Sequence, residues 1–158
     1  MKEKDLLKIV EGEVETLCSL LGVDSERSFT VEDGEEGMKY VKISFEGEDL
    51  GYMIGNKGRH LDSLQFILQI ILGRKLEGID FRVFVDVGGY RKEKDEKIVQ
   101  MALEKADNVR ILGEAVELPP MKPSDRRIVH LALMKFKDIT TESEGEGKDR
   151  RIIIKPVK

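Results

Sequence analysis

The stretch Ile54–Gln65, IGNKGRHLDSLQ, decides the fold prediction because it sets two glycines around an Asn-Lys pair directly before an apolar helical run. Glycine adopts positive φ at little cost and lets another backbone come close. The free N–H groups at the start of the following helix, its positive dipole end and Lys57 all favour an anion. We therefore predict that Gly55–Gly58 binds a phosphate. The alternative is a plain turn at the start of a helix.

A phosphate loop of the nucleotide-hydrolysing kind is excluded by the spacing of these residues. The segment GYMIGNKG, residues 51–58, lacks the G-x-x-x-x-G-K-[ST] pattern, and no Ser or Thr follows Lys57 to hold magnesium. With nucleotide hydrolysis excluded, the ligand predicted for this loop is a phosphate of a nucleic-acid backbone.

Hydrophobic periodicity predicts the elements around this loop. Apolar residues recur at helical spacing over Lys4–Leu21, SFTVE and MKYVKISFE form a hairpin, and a short apolar element covers Leu50–Ile54. The helix after the loop is apolar most of the way round, so we expect it to be buried. FRVFVDV, residues 81–87, then alternates as a strand and completes a three-stranded sheet backed by three helices.

The second half of the chain predicts a smaller α+β unit. A Gly-Gly pair opens a long charged helix, Tyr90–Leu112, which a glycine ends. The extended segment AVELPPMKPSDRR follows, then a helix from about Ser124 to Lys137 and two strands, DITTESE and DRRIIIK. We therefore predict an α+β chain of two domains, residues 1–88 and 89–158, with the helix 90–112 as the bridge.

The last predicted helix carries a second candidate site. SDRRIVHLALMKFK places Arg126 and His130 four residues apart on one face, with Lys137 nearly in line. Arg can bind phosphate with two hydrogen bonds, and His can donate to phosphate or stack beneath a base. The alternative is that His130 is a structural histidine beside an apolar stripe.

The charge of the chain is distributed unevenly. The net charge of −4 argues against indiscriminate nucleic-acid binding. By segment, residues 1–48 carry −7, residues 49–121 carry −1 and residues 122–158 carry +4. Lys148, Arg150 and Arg151 in the last hairpin extend the positive track if they lie on the side of the helix. The alternative is a solvated charged hairpin.

Several kinds of site are excluded by the residue inventory. A single cysteine, Cys18, excludes an internal disulfide and a multi-cysteine zinc site, and two histidines exclude a histidine-rich metal site. We expect Cys18 to be a core residue. Neither motif offers a Cys nucleophile or a carboxylate pair, so we predict no catalytic residues, no metal and no cofactor. The charged N-terminus and the short apolar run FILQIILG predict a cytoplasmic protein.

The order helix, strand, strand, helix, G-x-x-G, helix, strand resembles a type II KH domain, whose loop clamps the backbone of about four nucleotides beside an apolar groove. By this resemblance the RNA-binding loop is formed by Gly55, Asn56, Lys57 and Gly58, with Arg59 as a flanking cation.

Arg-x-x-x-His in a helix, preceded by P-P-M-x-P-x-x-R and followed by TTESEGEGKDRRIIIKP, resembles the R-3-H domain, a binder of single-stranded nucleic acid. The residues carried over are Arg126 and His130. The trailing Arg150 and Arg151 and the helical Lys137 complete the predicted binding residues.

The pairing of these two units resembles the bacterial Jag family, the SpoIIIJ-associated proteins also called KhpB or EloR. The resemblance implies a cytoplasmic RNA-binding protein, a post-transcriptional regulator linked to cell elongation or sporulation. This chain begins at the KH helix and is expected to lack the N-terminal Jag domain of many members. The expected partners are single-stranded RNA, with single-stranded DNA as an alternative, and a second KH protein or a second copy of the chain, without membrane insertion.

A competing interpretation makes the chain a protein-interaction module, in which the KH sheet or the edge of its buried helix pairs with another KH chain. Its motive is the net negative charge and the acidic first third of the sequence. A nucleic-acid-processing enzyme is a third interpretation, poorly supported because neither motif region has a cluster of carboxylates to hold catalytic metals.

Overall fold

The computed structural model describes the whole chain, residues 1–158, and divides it into two compact units, Met1–Arg91 and Lys92–Lys158. Both units contain helices and a small sheet, so the predicted α+β class is confirmed.

The first unit combines a three-stranded mixed sheet with three helices. Its elements in chain order are α1 Glu3–Leu21, β1 Glu26–Asp33, β2 Lys39–Glu46, α2 Gly51–Ile54, α3 Arg59–Lys75 and β3 Phe81–Val87. The strand order is β1-β2-β3. β1 and β2 form the predicted antiparallel hairpin, in which Val31 faces Val41. β3 runs parallel to β2, with Val83 beside Val41, because α2 and α3 carry the chain back to the same end of the sheet.

α1 follows directly from the spacing of its apolar residues. Its buried face consists of Leu6, Val10, Val14 and Cys18, each four residues from the next. The helix ends at Gly22, whose φ of 67° lets its N–H donate to the carbonyls of Cys18 and Ser19. Cys18 is 4% exposed, which confirms it as a core residue, and burial raises the pKa of its thiol.

The core of the first unit lies between α3 and the sheet. Alternate residues of β2 and β3 point toward the helices and are buried: Val41, Ile43, Phe45, Val83, Val85 and Val87. They meet Leu61, Leu68 and Leu72 of α3, which are 0% exposed. Burying each of these leucines contributes about 1.5–3 kcal/mol.

The prediction that α3 is buried most of the way round is wrong. Phe66 is 67% exposed, Ile67 45% and Ile70 46%. The sheet, α1 and α2 together cover only part of the circumference of α3, so these three side chains remain exposed. We refer to Phe66, Ile67 and Ile70 as the outer stripe of α3.

The second unit is built on a long helix and an antiparallel sheet. α4 spans Tyr90–Leu112, as predicted, and begins with the last two residues of the first unit. It is followed by β4 Val116–Glu117, α5 Pro123–Leu133, β5 Ile139–Glu144 and β6 Arg151–Pro156. The strand order is β4-β6-β5, and all pairs are antiparallel. None of the helices is long and apolar enough to cross a membrane.

The predicted end of α5 at Lys137 is wrong, since the helix ends at Leu133. The N–H of Phe136 donates to the carbonyl of Leu133 in a tight turn. The guanidinium of Arg110 lies 4.6 Å from the centroid of the Phe136 ring, which packs against the core of this unit. Because β5 starts at Ile139, the chain has to turn here, and Lys137 lies outside the helix.

Candidate nucleic-acid interface

The loop between α2 and α3 contains three residues with positive φ. Gly55 has φ 69° and ψ −172°, a region that is essentially restricted to glycine. Lys57 has φ 54° and Gly58 has φ 79°, both left-handed. For a lysine this conformation costs about 1–2 kcal/mol. The loop is therefore held in a strained conformation, with the side chains of Asn56 and Lys57 exposed to solvent.

The glycines of this loop are also required by aromatic rings of the protein itself. A Cβ on Gly55 would lie 2.5 Å from the ring of His60, and a Cβ on Gly58 would lie 3.0 Å from the ring of Tyr90. His60 is fixed in this position because its Nδ1 lies 2.7 Å from the carbonyl oxygen of Tyr52 in α2. Besides the approach of a ligand, the packing of His60 and Tyr90 is therefore a second reason for these glycines.

The charge around the loop is locally positive. No side chain caps the N-terminus of α3, where Gly58 precedes the first turn. The N–H of Arg59 donates to the carbonyl of Asn56, and the positive end of the helix dipole still favours an anion here. Lys57 and Arg59 are exposed and form no ion pair. Asp62, the one acidic residue of this first turn, pairs with Arg91 at 3.0 Å. The arrangement favours a phosphate near the loop.

An apolar groove of about 320 Å³ lies beside the loop, between α1, α2 and α3. Leu17, Leu21, Leu64 and Ile67 line it together with Tyr52 and His60, the two residues that support the loop. No group of three His, Cys, Asp or Glu side chains is arranged to hold a metal.

The structure brings Arg126 and His130 together on one face of α5, as their spacing predicts. Nη1 of Arg126 donates to the carbonyl of Met121 at 2.7 Å. Nδ1 of His130 lies 2.6 Å from Oγ1 of Thr141 on β5. Both side chains are half-buried. Burial, and secondly the positive charge of Arg126, lower the pKa of His130, which favours the neutral ring.

The remaining predicted cations lie in different surroundings. Lys137 is exposed beyond the end of α5. Nη1 of Arg150 donates to the carbonyl of Gly145 in the hairpin turn. Arg151 forms two hydrogen bonds with Glu117, at 2.8 and 3.2 Å, and this pairing lowers the pKa of the Glu117 carboxyl. The charge of Arg151 is thus compensated within the protein.

Sequence reasoning missed the exposed face of α5 next to His130. Arg127 is exposed there, and so are Leu131, at 55%, and Met134, at 74% just beyond the helix. The signal was present, because Val129 and Leu133 place the core on one side of α5, and residues 127, 131 and 134 then share the outer side. This face offers a cation and apolar surface beside the Arg-His pair.

Comparison with known proteins now identifies both units. Residues 11–87 match the family model of the KhpA/KhpB KH domain, and residues 96–156 match the model of the R-3-H domain. The fold and the two sites therefore define a protein with a KH domain of the KhpA/KhpB family followed by an R-3-H domain.

Relatives in three bacteria carry the name RNA-binding protein KhpB. The chain is 34% identical to that of Clostridium symbiosum over 119 residues, which are 75% of this chain and 53% of that protein. It is 34% identical to that of Bacillus subtilis over 122 residues, 76% of this chain and 58% of the relative. It is 30% identical to that of Lactiplantibacillus plantarum over 146 residues, which are 91% of this chain and 45% of that protein. The chain thus spans about half the length of these relatives.

The first prediction concerns the conformation of the loop. We expect Gly55→Ala to lower the free energy of unfolding by about 1–3 kcal/mol, because the residue has positive φ and its Cβ would meet the ring of His60. Gly51→Ala is the control, since Gly51 lies in helical α2 with open space around it. Urea titration measures both changes. A Gly55→Ala variant as stable as the wild type would contradict this account of the loop.

The second prediction concerns the protonation of His130. An NMR titration of its ring should show a pKa below the ordinary value of 6.5. Because the unfolded chain then binds the proton more readily, the stability from the neutral ring is present above pH 6.5 and is lost as pH falls through the folded-state pKa. Arg126→Gln should raise this pKa only part of the way, since burial is the larger cause, whereas Arg127→Gln should leave it unchanged. A wild-type pKa at or above 6.5 would be inconsistent with the structure.

Proposed function

We propose that the chain is a cytoplasmic, non-catalytic protein that binds single-stranded RNA at the Gly55–Gly58 loop and at Arg126 and His130 of α5. The observation that carries this proposal is the uncapped, positively charged start of α3, where Lys57 and Arg59 have no acidic partner in an otherwise acidic protein. The names of the three relatives, each called an RNA-binding protein, support the choice of ligand.

At the loop, the ammonium of Lys57 would contact phosphate oxygens, and the positive end of the α3 dipole would attract them. Such contacts hold and orient a strand without reading its sequence. Lys57 is suited to this role because its left-handed backbone is part of the loop conformation and its side chain is exposed. Arg59, one residue into α3, would add a second contact to the same stretch of backbone.

At α5, the two named residues would act differently. The guanidinium of Arg126 spends one donor on the carbonyl of Met121 and has further donors for a phosphate. His130 is biased toward the neutral ring, so it would serve as a hydrogen-bonding or stacking group more than as a charge. The exposed Leu131 and Met134 would supply apolar contact with bases.

The biological role proposed is post-transcriptional regulation linked to cell elongation or sporulation, which rests on the family resemblance. Single-stranded DNA is the alternative ligand, because the contacts proposed at both sites involve phosphates and bases and none requires a ribose 2′-hydroxyl.

Replacing Lys57 tests the loop directly. We expect Lys57→Asn to weaken binding to all short RNA sequences alike and to reduce the slope of log affinity against log salt by about 0.7, the single-strand value per phosphate contact. Asn keeps the left-handed backbone accessible, so the loop itself should persist. Lys8→Gln, at an exposed lysine of α1, is the matched control and should change neither quantity. Fluorescence anisotropy at several salt concentrations measures the affinity. If the wild type fails to bind RNA at low salt, the proposal is wrong.

A second candidate function is pairing with another KH chain, and the outer stripe of α3 favours it. Three adjacent apolar side chains that face water are a common mark of an interaction surface. If a second copy covers this stripe, Phe66→Glu should convert a dimer into a monomer in size-exclusion chromatography with light scattering, because it places a charge in an apolar interface. Ile111→Glu, at a residue 79% exposed in the second unit, should leave the dimer intact. A wild-type chain that is monomeric at high concentration would rule out self-pairing.

A further inference from the structure

The free edge of β3 is occupied by side chains of the protein itself. β3 pairs with β2 on one side only, so the backbone groups on its other side have no strand partner. Gln69 of α3 satisfies two of them, with Oε1 accepting from the N–H of Val83 at 2.8 Å and Nε2 donating to the carbonyl of Phe81 at 3.3 Å. The unpaired N–H and C=O groups of an edge strand can normally bind another chain. In β3 the side chain of Gln69 occupies two of these groups.

The same edge is covered further toward the loop by a second glutamine and an arginine. Oε1 of Gln65 accepts from the N–H of Val85 at 3.0 Å and from Nη2 of Arg91 at 3.2 Å. Nε of Arg91 donates to the carbonyl of Val85 at 2.8 Å. Two glutamines and one arginine thus satisfy four backbone groups along the strand, and all three side chains remain partly exposed to solvent.

Gln69 presents to β3 the same arrangement of hydrogen-bond donor and acceptor that a nucleobase presents. Its carboxamide offers one donor and one acceptor side by side to a backbone carbonyl and N–H. Every nucleobase carries an adjacent donor and acceptor on its Watson–Crick edge, which is the edge that proteins read in unstacked single strands. A base that lay against β3 would need the two backbone groups that Gln69 holds.

Gln65 and Gln69 also lie within reach of an RNA strand whose backbone is held at the loop. α3 starts directly after Gly58 and runs along β3 in the opposite direction, so that Gln65 lies opposite Val85 and Gln69 opposite Val83. At about 1.5 Å of rise per residue, Gln65 is roughly 10 Å and Gln69 roughly 16 Å along α3 from Gly58. This span matches the few nucleotides next to a phosphate at the loop.

We infer that Gln69, assisted by Gln65, determines the base selectivity of the first unit by occupying the backbone groups of β3 that a base would otherwise bind. The inference rests on the proposed function, since it takes the loop to hold the RNA backbone. In the wild type the RNA strand is held at this unit by its phosphates. Its bases cannot bind the backbone groups at the edge of β3, because the glutamines already occupy them. Low sequence selectivity is therefore a property of these side chains and not of the fold.

The test compares wild type, Gln69→Ala and Gln100→Ala for binding to the four homo-oligomers of RNA, by anisotropy at one low salt concentration. The wild-type affinities should differ little, because phosphate contacts carry no sequence information. Gln69→Ala should widen the ratio of the tightest to the weakest oligomer by at least about fivefold, the lower end expected for a bidentate base contact. Gln100→Ala removes an exposed carboxamide on α4 that donates to Glu104, and it should behave as the wild type.

Amide hydrogen exchange and NMR separate the possible outcomes. The amide of Val83 should exchange faster in Gln69→Ala while the amides of α3 stay protected. This result would show an open edge in a folded unit. An open edge without a change in the affinity ratio would overturn the inference and leave the proposed function standing. If the variant does not fold, the wild type is used instead. The NMR signals of the Gln69 side-chain amide should not shift when RNA saturates the loop. A shift that shows Gln69 displaced from β3 would overturn the inference. Absence of RNA binding by wild type would overturn both proposals.

Discussion

The packing of α3 against the sheet is the contact on which the first unit and its loop depend. Leu61, Leu68 and Leu72 are fully buried against β2 and β3 and hold the helix on the sheet. Gln65 and Gln69 bond individual backbone groups of β3 and so fix the helix along its own axis, since a shift by one residue would break these bonds. Because α3 begins where the loop ends, the position of the loop follows from both sets of contacts.

In the second unit, polar contacts position the candidate site to a greater extent. α5 is held at its first turn by Asp125, which is 8% exposed and lies 3.0 Å from Lys94 of α4. Breaking a buried pair of this kind typically costs about 3–5 kcal/mol, because it leaves one charge uncompensated. Arg126 and His130, one and five residues further on, are each fixed by a partner outside α5. The Arg-His pair therefore has a structural role whether or not it also contacts RNA.

What the sequence predicted well was determined by neighbouring residues. The bounds of α1 and α4 followed from helical periodicity and a terminal glycine, and the G-N-K-G loop followed from its position before an apolar helix. The errors have distant causes. Phe66, Ile67 and Ile70 look like core residues until the sheet fixes which side of α3 it covers. α5 stops at Leu133, and the ring of Phe136 just beyond it packs against Arg110, which lies more than twenty residues earlier in the chain.

In the candidate site, too, features set by neighbouring residues could be predicted from the sequence and features set by distant residues could not. The residues of the loop could be named from the local pattern, but not its support, because Tyr90 meets Gly58 only after β3 has returned the chain to the loop. Likewise the compensation of Arg151 by Glu117 depends on the pairing of β4 with β6, and a two-residue strand has no periodicity from which to predict it. Charge in the sequence is thus a poor guide to charge that is available to a ligand.

The net charge of −4 and the binding of a polyanion are compatible because they act over different distances. Several acidic side chains of the first 48 residues are held in ion pairs with cations of the same segment: Lys42–Glu32, Lys39–Asp33 and Arg27–Glu15. At physiological salt, exposed charges more than about 8 Å from a phosphate are largely screened, whereas a cation in direct contact with it is not. The overall charge instead opposes attraction from far away. Such a protein would select RNA by close contact at its loop and would gain little from electrostatic steering.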